Sequence, residues 1–491
     1  MLVTLQGDGP INQRVFRSVR GAILDGRLTA GARLSSTRSL AMDLGVSRKA
    51  VAAAFMRLAD EGYVEGRVGA GTFVSSTLPD AALTPWQRKR SRAATPAEPT
   101  RLAAHARRVL AQTPWPPPGA RAPETLGYDF HYGSAAVAGF PQSTWCRLAA
   151  RRARRMSFRM LGYGRTLGFP PLREAIADYI SRSRGVAADP ESVVVVTGSQ
   201  QALDLIVRLL VDPGDRVVIE EPGYQGARQV LVAAGARVVP TPVDDSGLDV
   251  SRLPRGREVR LAYVTPSHQF PLGGVMPLAR RLELLRWAGA SRAIIVEDDY
   301  DSEFRYDGHP VEALQGLDRG GRVLYVGTFS KILFPSLRLA YVVVPEHLIP
   351  AVRGIKFLMD YHTPTFEQSV LADFIAQGHL ERHVRRARTR NAARRKALLD
   401  ALDDQLGDRV EIAGANAGVH VVVWLRDVDV TRLDQLKRHA AERGVGIYPV
   451  TPYYVHPPRR AGLLFGYASL TERDIRDGVI ALRESLASLH M

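Results

Sequence analysis

RAIIVEDDYDSEF, residues 292–304, joins an apolar, β-branched run to a cluster of acids around one tyrosine. A run that reads as buried on both faces and stops abruptly in charge is the mark of an interior parallel strand whose end opens on a site. Five more runs share the form: SVVVVTG (192–198), DRVVIEEPG (215–223), VRLAYVTP (259–266), RVLYVGTF (322–329) and RLAYVVVP (338–345). Helical segments separate them. The pattern predicts an α/β fold, a mostly parallel sheet covered on both faces, with ligand residues just past the strand ends. From about Glu367 a long arginine-rich helix takes over, followed by GVHVVVWL and shorter elements, which predicts a smaller C-terminal α+β lobe.

The strand ends carry chemistry. Gly198-Ser199-Gln200 opens the helix QALDLIVRLL, so its free N–H groups and dipole form an anion cradle. GTFSK sets Lys331 after a strand with Thr328 and Ser330 beside it and Arg338 downstream. Asp298, Asp299 and Tyr300 end one strand, and EEPGY presents Tyr224 after another. A lysine in such a place is otherwise a surface cation, but these neighbours suit a single cofactor. Pyridoxal 5'-phosphate needs an amine for a Schiff base, a carboxylate for its pyridine nitrogen, an aromatic ring over its face and an anion site for its phosphate. Alternation at a strand end does not choose between Asp298 and Asp299.

Toward the N-terminus, residues 10–76 form a different pattern. Ile11, Val15, Val19 and Ile23 recur at helical spacing up to about Gly26. A second helix carries Leu40 and Leu44 and stops at Gly45, and Ser47 caps a third with Val51, Phe55 and Leu58 inside. Two helices joined by a glycine turn predict a helix-turn-helix, and YVEGRV with GTFV around Gly69-Ala70-Gly71 predicts a two-stranded wing. Ser47, Arg48 and Lys49 stand at the third helix's N-terminus, where recognition helices meet base edges and phosphate; Arg38 lies on the helix before and Arg67 on the wing. Residues 77–125, rich in Pro, Ala and Arg, predict an extended spacer before the body at 126–491, and their Arg88-Lys89-Arg90-Arg92 suits phosphate contact or plain solvation.

Composition agrees. In 491 residues, 45% apolar and 24% charged side chains exclude a disordered or collagen-like chain. No apolar run reaches the ~18–20 residues of a membrane span, and MLVTLQGDGP lacks the form of a signal peptide, so a cytoplasmic protein is expected. Cys146 is the only cysteine, which leaves no internal disulfide or thiolate metal site. The 66 basic against 50 acidic residues leave +16, mostly arginine, which suits a polyanionic partner.

Residues 31–74, GARLSSTRSLAMDLGVSRKAVAAAFMRLADEGYVEGRVGAGTFV, resemble the winged helix of GntR-type regulators, with Ser35 where that family usually has proline. The spans TPSHQFPLG, EDDYDSEFRY and GTFSK resemble the MocR subgroup, in which this head is fused to a fold-type-I aminotransferase body with a seven-stranded type of sheet. The resemblance implies that Arg38, Ser47, Arg48, Lys49 and Gly69 contact double-stranded DNA. It also implies that Lys331 bonds pyridoxal 5'-phosphate, Asp298 pairs with the ring nitrogen, Tyr300 with the ring hydroxyl, and Tyr224 stacks. Ser199, Gln200, Thr328 and Arg338 would hold the phosphate, with Tyr163 of LGYGRTLG from a second subunit of a homodimer.

Two departures stand out. Asn-Pro-Thr-Gly of many aminotransferases is Phe270-Pro271-Leu272-Gly273, so a hydrogen bond to the ring hydroxyl must come from Gln269, His268 or Ser267, or be absent. The C-terminal arginine that grips a substrate carboxylate is replaced within GLLFGYASL by Leu464 and Phe465, with Arg459 and Arg460 upstream as alternative grips. A regulator rather than an enzyme is therefore expected, with at most half-transamination. Its expected effector is pyridoxal phosphate itself, as in the vitamin B6 (PdxR-type) regulators. An amino compound sensed through its adduct, or an active aminotransferase, are the alternatives.

Overall fold

The computed structural model describes residues 3–5, 7–76, 100–112, 126–133, 137–306 and 311–489, which divide into two compact units at about residue 101. In the first, α1 (Ile11–Leu24), α2 (Thr37–Leu44) and α3 (Arg48–Asp60) precede a hairpin of β1 (Val64–Arg67) and β2 (Gly71–Val74). Val15, Val19 and Ile23 are buried as their spacing requires, whereas Ile11, in the open first turn, is exposed. Gly45 ends α2 in the left-handed region at φ 67°, and the Ser47 hydroxyl accepts the Ala50 N–H at 3.2 Å to start α3. A cap of this kind contributes about 1 kcal/mol. Val51, Phe55 and Leu58 then close a core against α1. The hairpin pairs Val64 with Val74 and Arg67 with Gly71, a winged helix-turn-helix as expected.

The second unit is built on β3 (Val193–Val196), β4 (Arg216–Glu221), β5 (Arg237–Asp244), β6 (Gly247–Leu248), β7 (Val259–Val264), β8 (Ile294–Asp299), β9 (Val323–Thr328) and β10 (Ala340–Val343). Their order is β3-β10-β9-β8-β7-β4-β5-β6. The run from β5 through β9 is parallel; β10 lies antiparallel to both its neighbours, and two-residue β6 trims the edge. All four residues of β3 and all six of β9 are buried, which is why these strands read as unbroken apolar runs. Helices cover both faces, and the cofactor-type residues sit at the C-terminal ends of β3, β4, β8 and β9.

The small lobe holds β11 (Val410–Ala413), β12 (His420–Asp429), β13 (Tyr448–Pro449) and β14 (Arg460–Gly466) in the order β11-β12-β14-β13, all antiparallel. It begins later than the change of pattern near Glu367 predicts. Helix Thr365–Ala376 still sends Val370, Leu371 and Phe374 into the large-lobe core, and the small lobe's core takes up at Ala397, midway along helix His379–Leu406.

The spacer also differs from an extended chain: Ala104–Gln112 is a helix lying on helix Gln225–Ala234. It buries no side chain fully and is held by Arg108, whose Nε donates to the Ala233 carbonyl at 2.8 Å, so no apolar stripe announced it. Arg88, Lys89, Arg90 and Arg92 lie outside the described residues. Among the described residues no helix is long and apolar enough to cross a membrane.

Candidate functional site

At the end of β8 successive side chains part to opposite faces of the sheet. Asp299 is taken by Arg184, whose Nε reaches Oδ2 at 2.8 Å, and by the Tyr325 hydroxyl, which donates to Oδ2 at 2.6 Å. Asp298 accepts from the Tyr263 hydroxyl at 2.6 Å on Oδ2, while its Oδ1, like that of Asp299, is buried with no hydrogen-bond partner among the described residues. Burial pushes the Asp298 carboxyl up to about 6 against the opposing Tyr263 hydrogen bond.

Lys331 lies just past β9. Its Nζ stands 4.5 Å from the centroid of the Tyr132 ring and 3.4 Å from the Gly133 carbonyl. Burial lowers its pKa to about 8, and the charges of Asp301 and Asp298 oppose that fall. Thr328 Oγ1 accepts the Ser330 N–H at 3.2 Å, which folds the turn before the lysine.

Across from it, Ser199 and Gln200 begin helix Ser199–Leu210, and Gly198 precede them at φ 113°. A side chain at 198 would meet the Arg338 guanidinium, its Cβ 2.5 Å from Nη2, so glycine lets the arginine lie on the helix start. Arg338 itself is held in the left-handed region at φ 51°. A guanidinium next to the start of a helix, with its N–H groups and dipole, suits an anion.

The aromatic wall is larger than the sequence suggests. Phe270 stands edge-on to Tyr224, Tyr300 and Tyr453 at 6.0, 5.8 and 5.0 Å between centroids, and close to Tyr132. Gly226 gives the Tyr224 ring its room: a Cβ there would fall 2.5 Å from Cζ. Leu464, fully buried on β14 opposite Val422 and Tyr448, packs into the same cluster. Arg460, offered as an alternative carboxylate grip, instead pairs with Glu411 at 2.8 Å and lies over Trp424.

One expected residue is corrected. The Gln269 amide is spent bracing loops: Nε2 donates to the carbonyls of Pro222 and Phe270 at 2.8 and 2.6 Å, and Oε1 accepts the Leu272 N–H at 3.1 Å. Ser267 is bound to Arg184 at 2.7 Å. Of the three residues weighed as a replacement for asparagine, only His268 turns to Tyr300, with Nδ1 2.9 Å from its hydroxyl. Tyr132, Tyr263 and Asp301 belong to the site without having been read from the sequence. Tyr263 reaches it because β7 pairs it with Val296, two residues before Asp298. Tyr163 is not gathered here: its ring is 83% exposed and rests against Tyr361 at 5.0 Å.

In the head, Arg38, Ser47, Arg48, Lys49, Arg67 and Gly69 are all exposed. Arg38 and Arg48 flank one hollow floored by Ala41 and Val46 at the α2–α3 turn. Arg67 is partly engaged within the wing, on Glu65 at 2.7 Å and over the Phe73 ring. Gly69 has φ 75°, which the tight wing turn demands of it.

Comparison with known proteins joins the two parts. Residues 11–74 match the gntR family of bacterial regulatory proteins and residues 139–482 match aminotransferase class I and II. The probable rhizopine catabolism regulatory protein MocR of Rhizobium meliloti is 39% identical over 489 residues, covering 100% of this chain and 96% of that one. The pyridoxine biosynthesis transcriptional regulator PdxR of Corynebacterium glutamicum is 30% identical over 469 residues, 95% of this chain and 94% of that one. Among solved structures, a Pyrococcus horikoshii kynurenine aminotransferase in complex with PMP matches with a TM-score of 0.69 and 29% identity, over 82% of this chain and 98% of the other. The body thus has the fold-type-I aminotransferase architecture, and this chain belongs to the MocR subgroup of GntR-type transcription regulators.

Proposed function

We propose that this protein is a DNA-binding transcription regulator that holds pyridoxal 5'-phosphate and answers to it as effector. The observation that carries the reading is one set of strand-end groups: the Lys331 amine, its pKa lowered by burial, a buried carboxylate oxygen without a partner among the described residues, Oδ1 of Asp298, and the Gly198–Arg338 cradle. An amine, an acceptor and an anion site are what the cofactor's aldehyde, protonated ring nitrogen and phosphate require.

On this reading Lys331 holds the aldehyde carbon and Asp298 the ring nitrogen. Tyr300 meets the ring hydroxyl and Tyr224 covers the ring. Ser199, Gln200, Thr328, Ser330 and Arg338 hold the phosphate, joined in a homodimer by the partner subunit's Tyr163. Bound pyridoxal phosphate supplies an electrophilic carbon for primary amines. The chain places apolar Leu464 where an aminotransferase grips a carboxylate, which supports a sensor over an enzyme, with half-transamination as the most an amino acid achieves. The heads of the dimer read two half-sites of a double-stranded operator through Arg38, Ser47, Arg48, Lys49, Arg67 and Gly69, in the cytoplasm.

The test is a titration of apo-protein with pyridoxal phosphate while operator binding is followed by fluorescence anisotropy. The cofactor alone is expected to change the operator affinity. If it leaves the affinity unchanged and a primary amine then shifts it, the protein senses that amine and the effector reading fails.

A further inference from the structure

Behind Tyr300 lies a buried pair that the reading above does not use. His268 and Asp301 are 2% and 1% exposed, and Nδ1 of the imidazole sits 3.0 and 3.1 Å from the two carboxylate oxygens. The same Nδ1 is 2.9 Å from the Tyr300 hydroxyl. One nitrogen cannot serve both neighbours in the same way. Carboxylate oxygens only accept, so Nδ1 carries its hydrogen toward Asp301 and has no lone pair left for Tyr300. The Tyr300 oxygen can then take at most a share of that N–H, and its own hydrogen has to be given elsewhere.

We propose that His268, held by Asp301, is a positioning residue that turns the Tyr300 hydroxyl into an obligate donor toward the ring hydroxyl oxygen of the bound cofactor. The inference rests on the cofactor reading above. Phe270, edge-on to Tyr300 at 5.8 Å, has no donor to offer for that oxygen. Gly418 makes the pair possible: a Cβ there would lie 2.6 Å from both Asp301 Oδ2 and His268 Nδ1. Around the pair and Tyr300 stand the titratable groups His420, whose ring is 5.1 Å from that of His268, Lys331, Tyr132, Asp298 and Glu220, with Glu303, Tyr306 and Tyr467 on the side of Asp301. Burial beside Asp301 and Asp298 holds the Tyr300 phenol well above its ordinary pKa, so it keeps the hydrogen it has to donate.

A donor on the ring oxygen stabilises that oxygen's anion and so opposes protonation of the cofactor–lysine linkage. Losing it should raise the linkage pKa, read from the pH dependence of the visible absorbance, by about one unit, the worth of one hydrogen bond to a charged group. Tyr300→Phe, His268→Gln and Asp301→Ala are each expected to give this rise. His268→Asn, whose amide nitrogen falls near the place of Nδ1, should titrate like the parent, and adding His268→Gln to Tyr300→Phe should change nothing further. Thermal melting of each cofactor-loaded variant identifies those that fold. Folded His268→Gln or Asp301→Ala protein that titrates like the parent overturns the inference, as does a shift that adds to that of Tyr300→Phe. Absence of any visible band in the parent protein instead overturns the cofactor reading on which it rests.

Discussion

The Tyr263 hydroxyl donates to Asp298 Oδ2 at 2.6 Å, and this bond fixes a carboxylate whose second oxygen has no partner among the described residues. Its neighbour Asp299 is already neutralised by Arg184. Replacing the two acids should therefore fail in different ways. Asp298→Ala is expected to weaken pyridoxal phosphate binding about tenfold to a hundredfold and to cost the apo-protein only about 1–3 kcal/mol, for the Tyr263 hydroxyl left without its acceptor. Asp299→Ala leaves a buried arginine uncompensated and should destabilise the fold by about 3–5 kcal/mol. Cofactor titration and thermal unfolding of both variants separate the effects.

Lys331→Ala should abolish covalent capture of the cofactor. Borohydride reduction followed by mass spectrometry of tryptic peptides is expected to mark the peptide containing Lys331 in the parent and none in the variant; a label on another lysine would refute the assignment.

The pH dependence of that capture follows from burial. Only the neutral amine attacks an aldehyde, and Lys331 is lowered from 10.5 to about 8. The capture rate should rise about tenfold per unit below pH 8 and level off above it. The same shift bears on stability: a depressed lysine contributes fully above its unfolded value of 10.5 and that contribution is lost as the pH falls through about 8. Stopped-flow absorbance across pH 6–10, with buffer amines excluded, reads the first effect.

In the head, Arg48 stands at the exposed start of α3, so Arg48→Ala should lower operator affinity and reduce the slope of log affinity against log salt by about one if it meets phosphate. Arg88→Ala, in the spacer, is expected to cost far less. Anisotropy at several salt concentrations compares them.

Tyr163, exposed against Tyr361, is expected to act across a dimer interface. Mixing Tyr163→Phe with Lys331→Ala protein should yield heterodimers in which the one intact lysine faces an intact tyrosine, restoring parent-like affinity at that site. A monomer at micromolar concentration in sedimentation would end this account.

Periodicity carried the fold because the strands are buried on both faces and the α1 stripe is regular. It failed where structure rests on other forces. Helix Ala104–Gln112 is tied down by a guanidinium on a carbonyl, and the lobe boundary runs through the middle of one continuous helix, where no break marks it. At the site, the residue types that bear chemistry were visible as strand-end clusters. The partners of His268 and of the two adjacent acids, such as Tyr263 and Arg184, lie more than 30 residues away, and no local pattern encodes them.

Arg338 keeps a left-handed backbone that costs a non-glycine residue about 1 kcal/mol. A library selected for heat resistance alone, without cofactor, would accordingly drift toward Arg338→Gly, gaining melting temperature while its members lost the anion site. On the proposed reading, thermostability and sensing would be set against each other at this one position, and any engineered descendant of the protein would have to be screened for both.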